Sequence, residues 1–276
     1  MGAWSASVVS MTVASAPAVG GLLKDWRQRR RLSQLDLAVE AEVSTRHLSF
    51  VETGRSKPSR EFLLHLAEHL DVPLRERNSL LLAAGYAPVY QRTPLDADDM
   101  APVRGAIDKI LASQDPYPAV VVDRRWDLVS MNRSATDIFS EGVAQELLVP
   151  PVNTLRVSLH PDGLAPRTVN FAEFSSHLLM RLHRQAIISA DSDLVALIEE
   201  LRGYPGVLDG RSAAPDAVAL LFVPLTMRLG ADQELRFFST LTTFGTALDI
   251  TLAELAIESF FPADERTAAI LHAGWG

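Results

Sequence analysis

A chain of 276 residues, 47% hydrophobic and 22% charged, is long and apolar enough for two modest domains, and two are expected. With no cysteine it has no disulfides, thiolate metal sites or thiol nucleophiles, and no apolar run approaches the ~18 residues of a membrane span. The formal net charge of -8 argues against a chain coated in nucleic acid, but the signs are segregated: Gly20 to Arg60 carries nine Lys/Arg against five Asp/Glu, leaving -12 for the rest.

In chain order, residues 1–19 are apolar but lack the Lys or Arg that opens a signal peptide, and a disordered tail or a misplaced start is expected there. In GLLKDWRQRRRL, Leu22, Leu23, Trp26 and Leu32 mark one apolar face among Lys24, Arg27, Arg29, Arg30 and Arg31, which predicts a first helix. Ser33 is a good N-cap, and Leu35, Leu37, Ala38 and Ala41 follow at helical spacing as a second. Ser44 caps a third, whose inward positions are Leu48 and Val51, so Thr45, Arg46, Ser49 and Phe50 face outward or to the side. Thr53-Gly54 ends it, Pro58-Ser59 restarts the chain, and EFLLHLAEHL and LRERNSLLLAAG supply two further amphipathic helices.

The succession RQRRRLSQLDLAVEAEVSTRHLSFVETGRSKPS resembles the phage-repressor (XRE-like) helix-turn-helix, with SQ, LA, VS, a helix ending in E-x-G-R, and PS in register over roughly residues 20–85. That resemblance implies an all-α five-helix DNA-binding domain whose third helix enters a major groove about 12 Å wide. Ser44, Thr45, Arg46, Ser49 and Phe50 then lie at the groove, with Arg46 able to bond a guanine edge. Gln34 falls where the family grips the backbone or an adjacent base, and Arg55 and Lys57 hold phosphates. The family also pairs the position of Glu52 with that of Arg27. Glu42 departs from the pattern, because the family usually has glycine there to accommodate positive φ.

Residues 86–104 read as a linker, with three prolines and three acids between Gly85 and Val103. Beyond it, VRGAIDKILAS is a predicted helix, and PYPAVVVDRRWDLVSMN two strands about Asp123-Arg124-Arg125. Helical patterns return in PVNTLRVSL, NFAEFSSHLLMRLHRQAII and DSDLVALIEELRG, YPGVLDGRSAAPD reads as a loop, and AVALLFVPLTMRL, ELRFFSTLTTFG and ALDITLAELAIESFFP are β-rich before a last helix in ADERTAAILHA. Two strands, a helical insertion and about three strands predict an α+β domain over 105–276, with an antiparallel sheet covered on one face and a cavity beneath the helices.

PAVVVDRRWDLVSMNRSA, NTLRVSLHPDG and FGTALDITLAELAIESFFPADERTA in this order resemble the ligand-binding domain of MmyB-like transcription regulators, a PAS-like fold, over roughly residues 105–270. The resemblance implies a sensor of a small apolar molecule, fatty-acid-like in kind. Phe174 and Leu178 lie on one stripe of the long helix with Arg181 at its edge, about 20° round from Phe174. An arginine beside an apolar wall can clamp a carboxylate, and Arg156 with Asn153 one turn earlier is a second such place.

His65 and His69 stand at i, i+4 but lack a third metal ligand, and nothing selects a haem ligand among His160, His177 and His183. No GxSxG and no glycine-rich phosphate loop occurs. No catalytic residue, metal or cofactor is therefore assigned, apart from a bound fatty acid or similar apolar molecule. The expectation is a cytoplasmic, non-enzymatic regulator that binds a double-stranded operator as a homodimer and has no membrane segment. The alternative is an antitoxin-type repressor or scaffold whose C-terminal part binds a protein.

Overall fold

The computed structural model describes residues 18–208, 223–230 and 233–274. The tail expected over 1–19 lies outside them up to residue 17, as does most of the loop expected over 204–216. Two compact units divide the chain between Val89 and Tyr90.

Among the described residues the N-terminal unit has five helices: α1 Val19–Arg29, α2 Gln34–Glu40, α3 Thr45–Glu52, α4 Arg60–His69 and α5 Leu74–Ala83. Serines fix three of the starts. Ser33 and Asp36 form a reciprocal capping box, Ser44 accepts from the His47 amide, and Ser59 accepts from the Phe62 amide. Leu23, Trp26, Leu37, Leu48, Val51, Leu63 and Leu66 make up the centre of the core. On α2 the predicted apolar set is only partly used: Leu37 and Ala38 are buried, whereas Leu35 is 60% exposed. At 100° per residue Leu37, Ala38 and Ala41 share an arc of about 100° and are buried, whereas Leu35 falls about 60° beyond its edge and is left on the outer side.

Helix α1 rests directly on α3. A β-carbon on Gly20 would stand 2.2 Å from the Val51 carbonyl oxygen, so that crossing demands a residue without one. Glu42, between α2 and α3, adopts φ +52°, the left-handed conformation expected of the position and unfavourable for a glutamate.

The C-terminal unit begins at Tyr90, inside the linker expected over 86–104. The Ile250 amide donates to the Gln91 carbonyl, and the Thr93 amide and hydroxyl both donate to Asp249 Oδ2, at 3.0 and 2.7 Å. Leu95 and Val103 pack against the core, and α6 spans Ala101–Gln114. The prolines and acids of this stretch punctuate packed structure rather than a free tether.

Strands β1 Ala119–Val122 and β2 Leu128–Met131 form the predicted hairpin, followed by helices α7 Arg133–Phe139, α8 Thr154–Leu159, α9 Phe171–Ser189 and α10 Ser192–Arg202. Then come β3 Leu225–Leu229, β4 Gln233–Thr243, α11 Ile250–Ala253, β5 Ala256–Pro262 and α12 Glu265–Ala273. The five strands make one antiparallel sheet in the order β2-β1-β5-β4-β3. Part of the β-rich stretch 247–262 is helical instead: the Asp249 carboxylate accepts from the Thr251 and Leu252 amides and starts α11.

Coverage also differs from expectation, because both faces of the sheet are packed. Val120 and Val122 join the large core formed with α9 and α10, whereas Ala119, Val121 and Ile257 pack with Ile107 and Leu111 of α6. Alternation along β1 sends successive side chains to opposite faces, and an all-apolar strand serves both.

Candidate functional site

In the N-terminal unit, α3 buries Leu48, Val51 and Glu52 and turns its other side outward. Arg46 is exposed, while Thr45, Ser49 and Phe50 are half-buried along the same side. The guanidinium carbons of Arg46 and Arg55 lie 5.3 and 6.0 Å from the Phe50 ring centroid, so one aromatic ring holds two cations near each other. Lys57 Nζ is 5.2 Å from the Tyr86 ring centroid. Ser44 spends its hydroxyl on the helix cap, leaving it a positioning role at the start of α3.

Behind this surface sits a sealed ion pair. Arg27 Nε and Nη2 donate to the two Glu52 oxygens at 2.7 and 2.8 Å, and Arg27 Nη1 donates to the Leu32 carbonyl at 2.7 Å. Gln34 Nε2 donates to Glu52 Oε2 at 2.8 Å, which fixes the Gln34 side chain at the beginning of α2. Burial alone would raise the Glu52 carboxyl. The hydrogen bonds from Arg27 and Gln34, with the charges of Arg27 and Lys24, outweigh it and hold the pKa below the ordinary carboxylate value.

The C-terminal unit contains a cavity of about 80 Å³ between the sheet and its helices. Val120, Leu128, Met131, Leu155, Phe174, Leu178 and Phe260 supply apolar wall, and Arg181 and Glu258 stand in it as charged groups. Val120 of β1 and Leu241 of β4 pair across from Glu258, so strand register places this carboxylate on the cavity face. Arg181 Nη1 donates to Glu258 Oε1 at 2.9 Å, and Ser239 Oγ donates to the same oxygen at 3.0 Å. The Arg181 guanidinium lies 4.4 Å from the Trp126 ring centroid. Trp126, held at φ +68°, donates its indole N–H to Gln185 Oε1 at 2.8 Å, locking the ring on which Arg181 rests.

A family model described as the MmyB-like transcription regulator ligand binding domain matches residues 103–273, and a helix-turn-helix domain model matches residues 18–80. The chain belongs to the MmyB-like transcription regulators. No curated protein matches it. These two parts make it a DNA-binding transcription regulator with a ligand-binding domain, and both matched families are regulator domains rather than enzymes.

Within this MmyB-like regulator the expected ligand residues separate. Phe174, Leu178 and Arg181 come together in the cavity wall. Asn153 and Arg156 do not join them. Asn153 is the N-cap of α8 and donates its amide to the Arg125 carbonyl and Asp127 Oδ1, pinning α8 to the β1–β2 turn. Arg156 makes two 2.7 Å bonds to Glu200, whose carboxylate also accepts from Tyr204. Burial and the Glu200 carboxylate push the Tyr204 hydroxyl up to about 12. Arg156 thus stands paired with Glu200 outside the cavity wall.

Glu258 is the charged cavity residue absent from the sequence-based expectation. Its signal is a lone acid in the apolar strand AIESFFP, where a charge needs a partner or a task.

Among the described residues no cluster of three or more His, Cys, Asp or Glu is arranged to hold a metal. His65 Nε2 instead lies 2.7 Å from the Ala41 carbonyl oxygen, and the His65 and His69 rings meet edge to face. No helix among the described residues is long and apolar enough to cross a membrane.

Proposed function

We propose that this regulator acts in the cytoplasm, binds a two-fold symmetric operator as a homodimer through an XRE-type helix-turn-helix, and changes its grip on DNA when a small apolar molecule enters its PAS-like C-terminal unit. The alkyl body of a fatty-acid-like molecule suits the wall formed by Phe174, Leu178 and Phe260. In this reading Arg46 reads a guanine edge, Thr45, Ser49 and Phe50 meet neighbouring bases, and Gln34, Arg55 and Lys57 contact the backbone, with Ser44 presenting the helix. Two half-sites then lie about 34 Å apart or a multiple of it. Ligand alters DNA affinity only by binding the competent and incompetent arrangements unequally.

The observation that carries this reading is the division of α3: its apolar positions and Glu52 are buried, while Arg46 stands exposed over the Phe50 ring. Gel-shift titration of Arg46→Ala tests it. Sequence preference should relax with a loss of roughly 1–3 kcal/mol on the cognate site, and an unchanged footprint would remove α3 from the groove.

A protein-binding C-terminal part, as in an antitoxin-type repressor or scaffold, is favoured by a different observation: Met180 and Ile187 on α9 are 51% and 60% exposed. Pulldown of a stoichiometric protein partner that leaves the cavity empty would favour that reading over the sensor.

A further inference from the structure

A carboxylate entering the cavity would meet a guanidinium that already has its counter-ion. Arg181 and Glu258 are the charged side chains among the described cavity residues, and they bond each other at 2.9 Å. Their charges cancel. Glu258 is only 8% exposed, and its Oε1 already accepts from both Arg181 and Ser239. No described residue donates to Oε2, which leaves one oxygen of a buried carboxylate available to a donor in the cavity.

His177, one turn before Arg181 on α9, adds no compensating positive charge. Burial, and then the charge of Arg181, keep its pKa below the usual imidazole value against the weaker pull of Glu258 and Glu173, so it is neutral around neutral pH. A second anion would give the chamber, whose remaining lining is apolar apart from the Ser140, Thr154 and Ser158 hydroxyls, a net negative charge with no cation for it, which is the costly case for a buried ion. A hydroxyl or an amide N–H carries no such cost. It can donate to Glu258 Oε2, and a hydroxyl oxygen can in turn accept from Arg181.

On the reading that this cavity is the ligand site, we propose that its ligand is an uncharged amphiphile: an alkyl body ending in a hydroxyl or amide donor that engages Glu258, rather than a free fatty acid. The Arg181–Glu258 pair is then a selector of head-group charge, and Phe174 and Leu178 take the chain.

Decanol and decanoate, identical in alkyl length, are titrated into the full-length protein at neutral pH below their aggregation limits, with binding read by calorimetry. The wild type should prefer decanol by about tenfold or more, the scale of one hydrogen bond to a charged group. Glu258→Gln keeps the side-chain shape and removes the negative charge, so Arg181 is left without a counter-ion and the ranking should invert toward decanoate. Leu178→Trp, which fills the chamber, should abolish both.

Preference of the wild type for decanoate overturns the proposal while leaving the cavity as the ligand site. An unchanged ranking in a folded Glu258→Gln protein does the same. If that variant does not fold, the wild-type ranking decides alone. Failure of both probes to bind, or binding that survives Leu178→Trp, removes the cavity reading and the proposal together.

Discussion

The two units each bury an arginine–glutamate pair, and the pairs are built differently. In the N-terminal unit both Glu52 oxygens are taken by Arg27, Gln34 adds a third donor, and the side chains of Arg27 and Glu52 are 9% and 2% exposed. In the C-terminal unit Arg181 and Glu258 share one contact, their side chains are 26% and 10% exposed, and both face a cavity. A pair whose bonding positions are all filled can only hold helices together, here α1 to α3. A pair with a position left open can hold something else. Chemistry at the level of residue type is identical in the two places, and the surrounding donors decide whether it is framework or recognition.

The largest effect that tests this contrast is Glu52→Ala. It strands Arg27 in the core without a counter-charge, and chemical denaturation should show the N-terminal unit losing about 3–5 kcal/mol. A loss as small as that of an exposed ion pair would dissolve the distinction.

Acid gives the next largest effect at the same pair. The folded Glu52 carboxyl titrates below its unfolded value, so its contribution is complete above the ordinary carboxylate range and disappears as pH falls through the depressed value. Stability of the wild-type N-terminal unit should therefore drop in that window, and Glu52→Gln should flatten the drop.

Glu258→Gln should cost the C-terminal unit only about 1 kcal/mol, because an amide oxygen still accepts from Arg181 and Ser239. Equal losses from Glu258→Gln and Glu52→Gln would mean that both pairs are framework. Smallest of all, Glu42→Gly should raise stability by about 0.5 kcal/mol, since relief at φ +52° is partly offset by the entropy of an added glycine. Thermal melting checks the sign.

Much of the N-terminal unit was legible because local chemistry announces it. Ser33, Ser44 and Ser59 stand immediately before apolar residues at helical spacing, and each proves to be an N-cap. The Arg27–Glu52 pair spans 25 residues and came from family resemblance, since spacing alone cannot reveal it. In the C-terminal unit the Val-rich strands and the long α9 could be read directly. The seven-residue α7, with Ile138 as its one buried large apolar side chain, has too short a pattern to declare itself.

Ile250 and Thr251 favoured a strand, and the Asp249 cap overrode that preference. Arg156 lies apart from the cavity for a related reason. Asn153, one turn away, is visible in the sequence, but Glu200, which takes up the guanidinium, lies 44 residues further along. Interactions decided by distant partners were the ones that local pattern could not supply.

Strand β5 lies in the middle of the sheet, between β1 and β4, although it is the last strand in the chain. The β1–β2 hairpin therefore waits on the ribosome for residues 256–262 before its second neighbour exists, whereas the five N-terminal helices find their shared core within residues 19–84. During translation the DNA-binding unit can fold well before the ligand-binding unit. A premature stop before residue 256 would accordingly leave the helix-turn-helix unit joined to a ligand-binding unit that lacks its central strand.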